Sequence, residues 1–161
     1  MPLVDDISGL RRILTRSRTI AVVGLSANWY RPSFFAAKYM RDHGYRIIPV
    51  NPSYGEVMGE RCYPDLRSAR EGVAVPIDVV DCFRKPVEIP PIARDAVEIG
   101  AKVLWMQLGI RNDEAAQIAL DGGLEVVMNR CVKIEHARFA GGLHLAGFNT
   151  GVISSRRQGP V

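Results

Sequence analysis

Residues 19–44, TIAVVGLSANWYRPSFFAAKYMRDHG, decide the fold. They begin with a short apolar run that ends at Gly24, which is typical of a strand buried on both faces of a parallel sheet. A helical pattern follows from Ser33 to His43, and Gly44 ends it as a C-terminal cap. A strand, a loop and a helix in this order predict the first unit of an α/β sheet.

The same alternation of apolar runs and helical patterns continues along the chain. Further strands are predicted at Arg46–Val50, near Arg61–Tyr63, and at Ile77–Phe83, Lys102–Gln107 and Glu125–Met128, and helices at about Ser8–Arg16, Asp65–Arg70, Pro90–Gly100 and Glu114–Leu120. The predicted fold is therefore α/β, with a doubly wound, mainly parallel, Rossmann-like sheet of five to six strands and helices on both faces. Pro49 has no N–H, so we expect it where the sheet needs no ladder hydrogen bond.

The length and composition fit one globular domain. We expect that domain to cover residues 1–139, with a glycine-rich tail over residues 140–161. Hydrophobic residues make up 47% and charged residues 24% of the 161, which excludes wholesale disorder. The apolar runs are too short for a transmembrane helix, and the first residues place acids before bases, unlike a secretory signal.

The cysteines and the charges narrow the classes of function. Cys62, Cys82 and Cys131 are far apart and odd in number, which predicts neither a disulfide framework nor a thiolate zinc site. We expect no metal site, and we expect a cytoplasmic location. The net charge of +4 comes from scattered basic residues. This pattern argues against a nucleic-acid or membrane partner and is compatible with a small anionic ligand.

Right-handed crossovers place every strand-to-helix loop at the carboxyl edge of such a sheet, where these folds bind ligands. In the first loop, Gly24 allows a backbone to approach a phosphate closely. Ser26 and Ser33 add hydroxyl groups, and Arg31 adds a cation with a bidentate fork. Pro32 fits the first helical turn, and the helix directs free N–H groups at the loop. The loop predicts a phosphate site.

Two later loops add polar groups to the same edge. Arg84 and Lys85 follow the central strand, and because cations oppose the dipole at a helix start, we interpret them as a second anion-binding element. Gln107 and Gly109 follow the next strand. Trp105 lies just before them, and we expect it to belong mainly to the core.

The sequence gives weaker support to a nicotinamide dinucleotide ligand and to catalysis. Only Gly24 of the GxGxxG fingerprint is present, and Asn51 stands where NAD binders place an acid, so NAD is disfavoured and NADP is little better. Cys131 beside Arg130 would suit a reactive thiolate, but a buried inert cysteine is the simpler interpretation. His136 has no obvious partner in the sequence.

A family resemblance covers about residues 8–138. Five stretches carry it: AVVGLSANWYRPSFFAAKYMRDHGYRIIPVNP, EVMGERCYPDL, IDVVDCFRKP, GAKVLWMQLGI and EAAQIALDGGLEVVMNRCVKIEH. In this order they resemble the stand-alone CoA-binding domain family. Its bacterial members are small proteins similar to the N-terminal CoA-binding domain of the succinyl-CoA synthetase alpha subunit. Each stretch alone is of modest specificity, but the ordered set is highly specific.

The resemblance implies that coenzyme A lies across the carboxyl edge of the sheet. The residues implied to face the pyrophosphate or pantetheine are Gly24, Leu25 and Ser26, with Arg31, Pro32 and Ser33 near phosphate. Val50 and Asn51 would lie beside the adenosine part, with Pro52 next to them. Phe83, Arg84 and Lys85 would form the opposite wall, and Trp105, Gln107 and Gly109 would border the pantetheine path.

The leading hypothesis is a module that binds CoA or an acyl-CoA without catalysis of its own. Thioester synthesis is not expected, because the synthetase needs a second domain with a phosphorylated histidine. Two alternatives stay open: an enzyme of unknown reaction on a CoA ester that uses Cys131 or His136, and an NADP-type oxidoreductase. The sequence leaves any protein partner open.

Overall fold

The computed structural model describes residues 3–140. Its helices are α1 (Ile7–Arg16), α2 (Pro32–Asp42), α3 (Leu66–Gly72), α4 (Ile89–Glu98), α5 (Asp113–Asp121) and α6 (Val132–Ala140), and a 3₁₀ turn, Pro86–Glu88, precedes α4. Its strands are β1 (Thr19–Val23), β2 (Arg46–Val50), β3 (Glu56–Val57), β4 (Glu60–Arg61), β5 (Val79–Cys82), β6 (Val103–Met106) and β7 (Glu125–Val127).

The main sheet confirms the predicted doubly wound fold. Five parallel strands lie in the order β2-β1-β5-β6-β7, so the direction of strand addition changes at β1 and β5. Pro49 lies in β2, which is an edge strand, in agreement with the expectation. The short strand predicted near Arg61–Tyr63 is half of a small antiparallel hairpin, β3–β4, beside the main sheet.

Helices cover both faces of the sheet, and the sheet divides the core into two apolar layers. Under α3, α4 and α5, the layer includes Val80, Leu104 and Met106. Under α1, α2 and α6, it includes Val22, Trp105 and many small or branched side chains. Because neighbouring residues of a strand point to opposite faces, strands covered on both sides become apolar throughout. No helix within residues 3–140 has the length and apolar character to cross a bilayer.

Helix α6 is an element that the sequence patterns did not predict. It follows β7 and packs against both α1 and α2. Its last residue, Ala140, is also the first residue of the predicted glycine-rich tail, and the rest of that tail lies outside the described residues. The beginning of α6 therefore lies at the carboxyl edge, over the centre of one face of the sheet.

Candidate functional site

A cavity of about 300 Å³ opens at the carboxyl ends of β1 and β2, next to the start of α3 and one side of α4. Its lining contains four of the residues predicted from the sequence: Gly24, Val50, Pro52 and Arg84. The remaining lining residues are Val23, Pro64, Asp65, Leu66, Glu88, Ile92 and Asp95. The cavity lies where the strand order reverses, which is the usual ligand position in an open α/β sheet.

Gly24 is required by the close approach of two loops at this cavity. Its φ is +91°, which glycine adopts without strain. A Cβ at this position would collide with the carbonyl oxygen of Phe83 and would lie 2.8 Å from Cδ of Arg84. The N–H of Gly24 donates to the Val50 carbonyl at 2.8 Å, which joins the ends of β1 and β2. Any larger residue would push these loops apart.

Arg84 is the cation in the cavity wall. Its Nε donates to Oε1 of Glu88 at 2.7 Å, one helical turn further along the chain. This contact fixes one side of the guanidinium and leaves its terminal nitrogens as donors for an anion. Sequence reasoning found Arg84 but missed Glu88, although the four-residue spacing of opposite charges was a usable signal.

The opposite wall of the cavity is acidic. Asp65 caps α3 and accepts from the N–H of Ser68 at 2.8 Å, which lowers the pKa of its carboxyl group. Burial raises the pKa of Asp95, and Arg67 lies 3.9 Å from it. A neutral group that donates hydrogen bonds therefore suits this wall, whereas an anion suits only the side of Arg84.

The loop between β1 and α2 is organised by its two serines. The N–H of Ser26 donates to Oγ of Ser33 at 3.0 Å, and the N–H of Asn28 donates to Oγ of Ser26 at 3.0 Å. Each hydroxyl still has its own proton to donate. Arg31 is the exposed N-cap of α2, without a side-chain capping bond, and Pro32 begins the helix as predicted. The start of α2 thus presents the guanidinium of Arg31 to solvent, while the N–H groups of Phe34 and Phe35 donate to the Arg31 carbonyl.

Two residues of the predicted site brace the loops from within. The side chain of Leu25 is fully buried beneath α2, so only its backbone can face a ligand. The carbonyl of Leu25 accepts from Nδ2 of Asn51 at 3.1 Å, and Oδ1 of Asn51 accepts from the N–H of Ser53 at 2.9 Å. With both ends of its amide used, Asn51 holds the first two loops together.

The loop between β5 and α4 presents two different surfaces. Phe83 is half-buried and packs against the apolar layer beneath α1, α2 and α6. Lys85 is exposed and caps the 3₁₀ turn that leads into α4. Lys85 is therefore available to a ligand outside the cavity, whereas Phe83 mainly supports the wall.

Trp105 belongs to the core, as expected from the sequence, so its side chain does not border the pantetheine path that the resemblance implied. Its exposed fraction is 0%, and its indole N–H donates to the Arg130 carbonyl at 2.7 Å. Gly109, by contrast, is exposed with φ +88°, and its N–H donates to Oδ1 of Asn129 at 2.6 Å. Of this pair, only Gly109 offers surface at the edge.

A buried polar pair, Asp81 and Gln107, lies beneath the start of α6. Asp81 is 1% exposed, and burial raises the pKa of its carboxyl group to about 7. Nε2 of Gln107 donates to Oδ1 of Asp81 at 2.5 Å, and Oε1 of Gln107 accepts from the N–H of Val132 at 3.4 Å. Gln107 thus connects the end of β6 to α6. An acid inside an apolar strand was the signal that sequence reasoning left unused.

The two side chains considered for catalysis do not reach the cavity. Burial raises the pKa of the Cys131 thiol, although two backbone N–H groups oppose that effect. His136 has a partner after all, because its Nδ1 lies 3.0 Å from the hydroxyl of Tyr39. Burial and the neighbouring His43 lower the pKa of His136. Within residues 3–140, no group of three or more His, Cys, Asp or Glu side chains is arranged for a metal ion.

Comparisons with known proteins identify the family of this chain. The profile of the CoA binding domain family matches residues 18–137. The protein YneT of Bacillus subtilis is 41% identical over 128 residues, which are 80% of this chain and 92% of YneT. A hypothetical protein from Pyrococcus horikoshii is 40% identical, with a TM-score of 0.80, over 85% of this chain and 94% of that one. An ADP-forming acetate–CoA ligase of Archaeoglobus fulgidus is 27% identical over 76% of this chain but only 19% of the enzyme.

Proposed function

Because this chain belongs to the CoA binding domain family, we propose that it binds coenzyme A or an acyl-CoA at the carboxyl edge of its sheet, as a module without synthetase chemistry. The binding domain is proposed to cover residues 1–139. The three cysteines are free thiols, as is usual in a reducing compartment, and a cytoplasmic location is part of the proposal.

The cavity between Gly24 and Arg84 is the observation that carries this proposal. Its apolar part, with Val50, Pro52 and Ile92, suits the adenine ring and ribose. Its acidic wall suits the amino group of adenine, which donates hydrogen bonds. The same wall excludes the phosphates, so they must lie outside the cavity.

The cations and the start of α2 supply the phosphate positions. Arg84 faces the cavity mouth, while Arg31 and Lys85 are exposed on the two flanking loops. We propose that the pyrophosphate lies at the beginning of α2, where the helix dipole and the exposed guanidinium of Arg31 favour an anion. The ribose phosphate of CoA adds a second dianion, for which these cations provide the counter-charge.

The pantetheine arm is then directed along the edge towards β6. Parallel strands lie about 4.8 Å apart, so the loop after β6 is about 10 Å from the end of β1. An extended pantetheine arm covers that span. Gly109 offers an exposed backbone at this point, and Gln107 holds the loop in place from below.

Binding rather than catalysis is favoured by the state of the reactive side chains. The Cys131 thiol has a raised pKa and is therefore protonated at neutral pH. His136 is engaged with Tyr39 between α2 and α6. Neither supports an attack on a thioester.

Titration calorimetry with CoA, dephospho-CoA, NAD⁺ and NADP⁺ tests the proposal. We expect CoA to bind and both nicotinamide dinucleotides to bind at least tenfold more weakly. Arg84→Ala removes a charge-assisted hydrogen bond to phosphate, so CoA affinity should fall by about tenfold or more. Arg12→Ala is the matched control, because Arg12 is exposed and donates to Glu125 at 3.0 Å, and neither residue lines the cavity. Binding of NAD⁺ or NADP⁺ without CoA would refute the proposal.

A further inference from the structure

Exposed apolar side chains collect at one edge of this protein. The described residues include eight large hydrophobic side chains that are exposed. Seven of them lie in loops or first helical turns at the carboxyl edge, with exposed fractions of 46–77%: Ile7, Trp29, Tyr30, Phe35, Val87, Leu108 and Ile134. The turns at the opposite edge, residues 43–45, 99–102 and 121–124, contribute none to this set. Single exposed apolar residues are ordinary, but a group at one edge marks a binding surface.

Four of these side chains surround the beginning of α6. Leu108 directly follows Gln107, whose side chain accepts from the N–H of Val132, so the loop after β6 lies against the first turn of α6. Ile134 lies in that first turn and is 46% exposed. We call the four residues Trp29, Tyr30, Leu108 and Ile134 the apolar rim.

The two aromatic members lie on the other side of α6. They precede α2, which packs against α6, and their rings form an edge-to-face pair with centroids 6.0 Å apart. Both rings remain more than half exposed. The rim thus extends from the loop after β1, which begins at the cavity, to the loop after β6, about two strands away, which the pantetheine arm reaches.

We propose that the preferred ligand is an acyl-CoA with an apolar acyl chain, and that this chain lies on the apolar rim. The inference rests on the proposed function, since it needs the adenosine part in the cavity and the arm along the edge. A thioester at the end of that arm places its acyl group beside Leu108 and Ile134. The rim is continuous with the proposed CoA path, which favours a part of the same ligand over a separate partner.

The charges beside the rim agree with an apolar rather than a carboxylated acyl group. Arg130, in the loop before α6, is held by Oδ1 of Asp5 at 2.7 Å and by Glu135 at 3.5 Å. Lys133 lies over the ring of Tyr39, with Nζ 5.8 Å from its centroid. Arg130 is thus already paired with two carboxylates, and Lys133 is drawn towards an aromatic ring rather than towards the rim.

Calorimetry on the full chain with CoA, acetyl-CoA, succinyl-CoA and octanoyl-CoA tests the inference. Octanoyl-CoA should bind at least tenfold more tightly than CoA, whereas acetyl-CoA and succinyl-CoA should bind within about threefold of CoA. A tenfold gain corresponds to about two buried methylene groups. Equal affinities for CoA and octanoyl-CoA, or a preference for succinyl-CoA, would overturn the inference and leave the proposed function standing. Failure of both CoA and octanoyl-CoA to bind would overturn the proposed function itself.

Substitutions in the rim supply the second arm of the test. In the double variant L108S/I134S, the preference for octanoyl-CoA over CoA should fall below threefold. Both side chains are exposed, so the fold should persist. Val87→Ser is the matched control, because Val87 is 77% exposed in the turn before α4, on the other face of the sheet from α6, and its preference should equal that of the wild type. An unchanged preference in the double variant contradicts the inference. Sedimentation gives a further outcome that contradicts the inference: the wild type is a dimer and the L108S/I134S variant is a monomer. The rim is then covered by a second copy.

Discussion

The two edges of the sheet differ in how they use their polar groups. At the amino edge, the carboxylate of Asp78 accepts from the N–H groups of Arg18 at 2.8 Å and Thr19 at 3.1 Å, and lies 3.8 Å from Nζ of Lys102. At the carboxyl edge, Arg31 and Lys85 are exposed, and a cavity separates Arg84 from an acidic wall. The amino edge therefore satisfies its polar groups within the fold, whereas the carboxyl edge keeps them available to a ligand.

The glycines of the two edges show the same difference. Gly44 and Gly100, at the amino edge, have φ values of +98° and +79°, and a Cβ added to either would meet nothing within 4 Å. They end helices and connect elements. Gly24 has a similar φ, but it lies close to Phe83 and Arg84 in the loop after β5. A positive φ alone thus reports a turn, whereas the close approach at Gly24 also ties it to the wall of the cavity.

The largest expected effect comes from Gly24→Ala. The new Cβ meets strain from the positive φ and a collision with the Phe83 carbonyl, so unfolding should become easier by roughly 2–5 kcal/mol. CoA affinity should fall at least a hundredfold, because the loops of the cavity move apart. Urea denaturation and calorimetry measure the two effects.

Gly44→Ala is the control for that substitution. It carries the same backbone strain without a collision, so its cost should be about 1–2 kcal/mol, with CoA affinity within twofold of the wild type. If both variants bound CoA normally, Gly24 would be an ordinary turn residue and the distinction between the edges would fail.

An intermediate effect is expected at the amino edge. Asp78→Ala leaves two backbone N–H groups without their acceptor, so the free energy of unfolding should drop by about 1–3 kcal/mol. Calorimetry on the folded variant should give the CoA affinity of the wild type, because Asp78 lies at the far edge of the sheet. A clear loss of CoA affinity in this variant would show that the two edges are coupled.

The smallest effect concerns α6, which extends from the apolar rim towards the amino edge. Burial and His43 lower the pKa of His136 below its ordinary value of 6.5, so the unfolded chain takes up a proton more readily than the folded one. The stabilising effect of neutral His136 is fully present above that ordinary value. The effect is lost as the pH falls from that ordinary value towards the lower pKa of the folded state.

Urea denaturation between pH 7.5 and pH 5.5 checks this effect. The free energy of unfolding should fall as the pH is lowered across this range. His136→Phe should remove that part of the pH dependence, with Tyr39 losing its partner at all pH values. An identical pH slope in the wild type and the variant would show that His136 does not titrate on unfolding.

Local patterns were enough to predict most of the fold and the first loop. The strand that ends at Gly24 and the helix that begins at Pro32 are contiguous in sequence, so their chemistry is visible in one stretch. Arg84 and Gln107 were found because parallel topology collects the ends of strands at one edge. Trp105 was expected mainly in the core and lies there, because both faces of this sheet are buried, whereas the resemblance alone implied a position at the ligand.

Long-range contacts explain what the sequence did not predict. His136 and Tyr39 are 97 residues apart, and the link from Gln107 to Val132 spans 25. Helix α6 has only a weak apolar pattern, because its buried face includes Glu135 and His136. Its position depends on these polar contacts. No periodicity rule detects such contacts in advance.

Chemical-shift mapping with CoA tests most directly the claim that the carboxyl edge is the ligand-binding edge. In ¹H–¹⁵N spectra of the full chain, the account predicts saturable shifts of the backbone amides of Gly24 and Gly109. The amides of Gly44, Gly100 and Gly123, which belong to the turns of the amino edge, should stay in place. Shifts confined to those three glycines, or an unchanged spectrum at millimolar CoA, would contradict it.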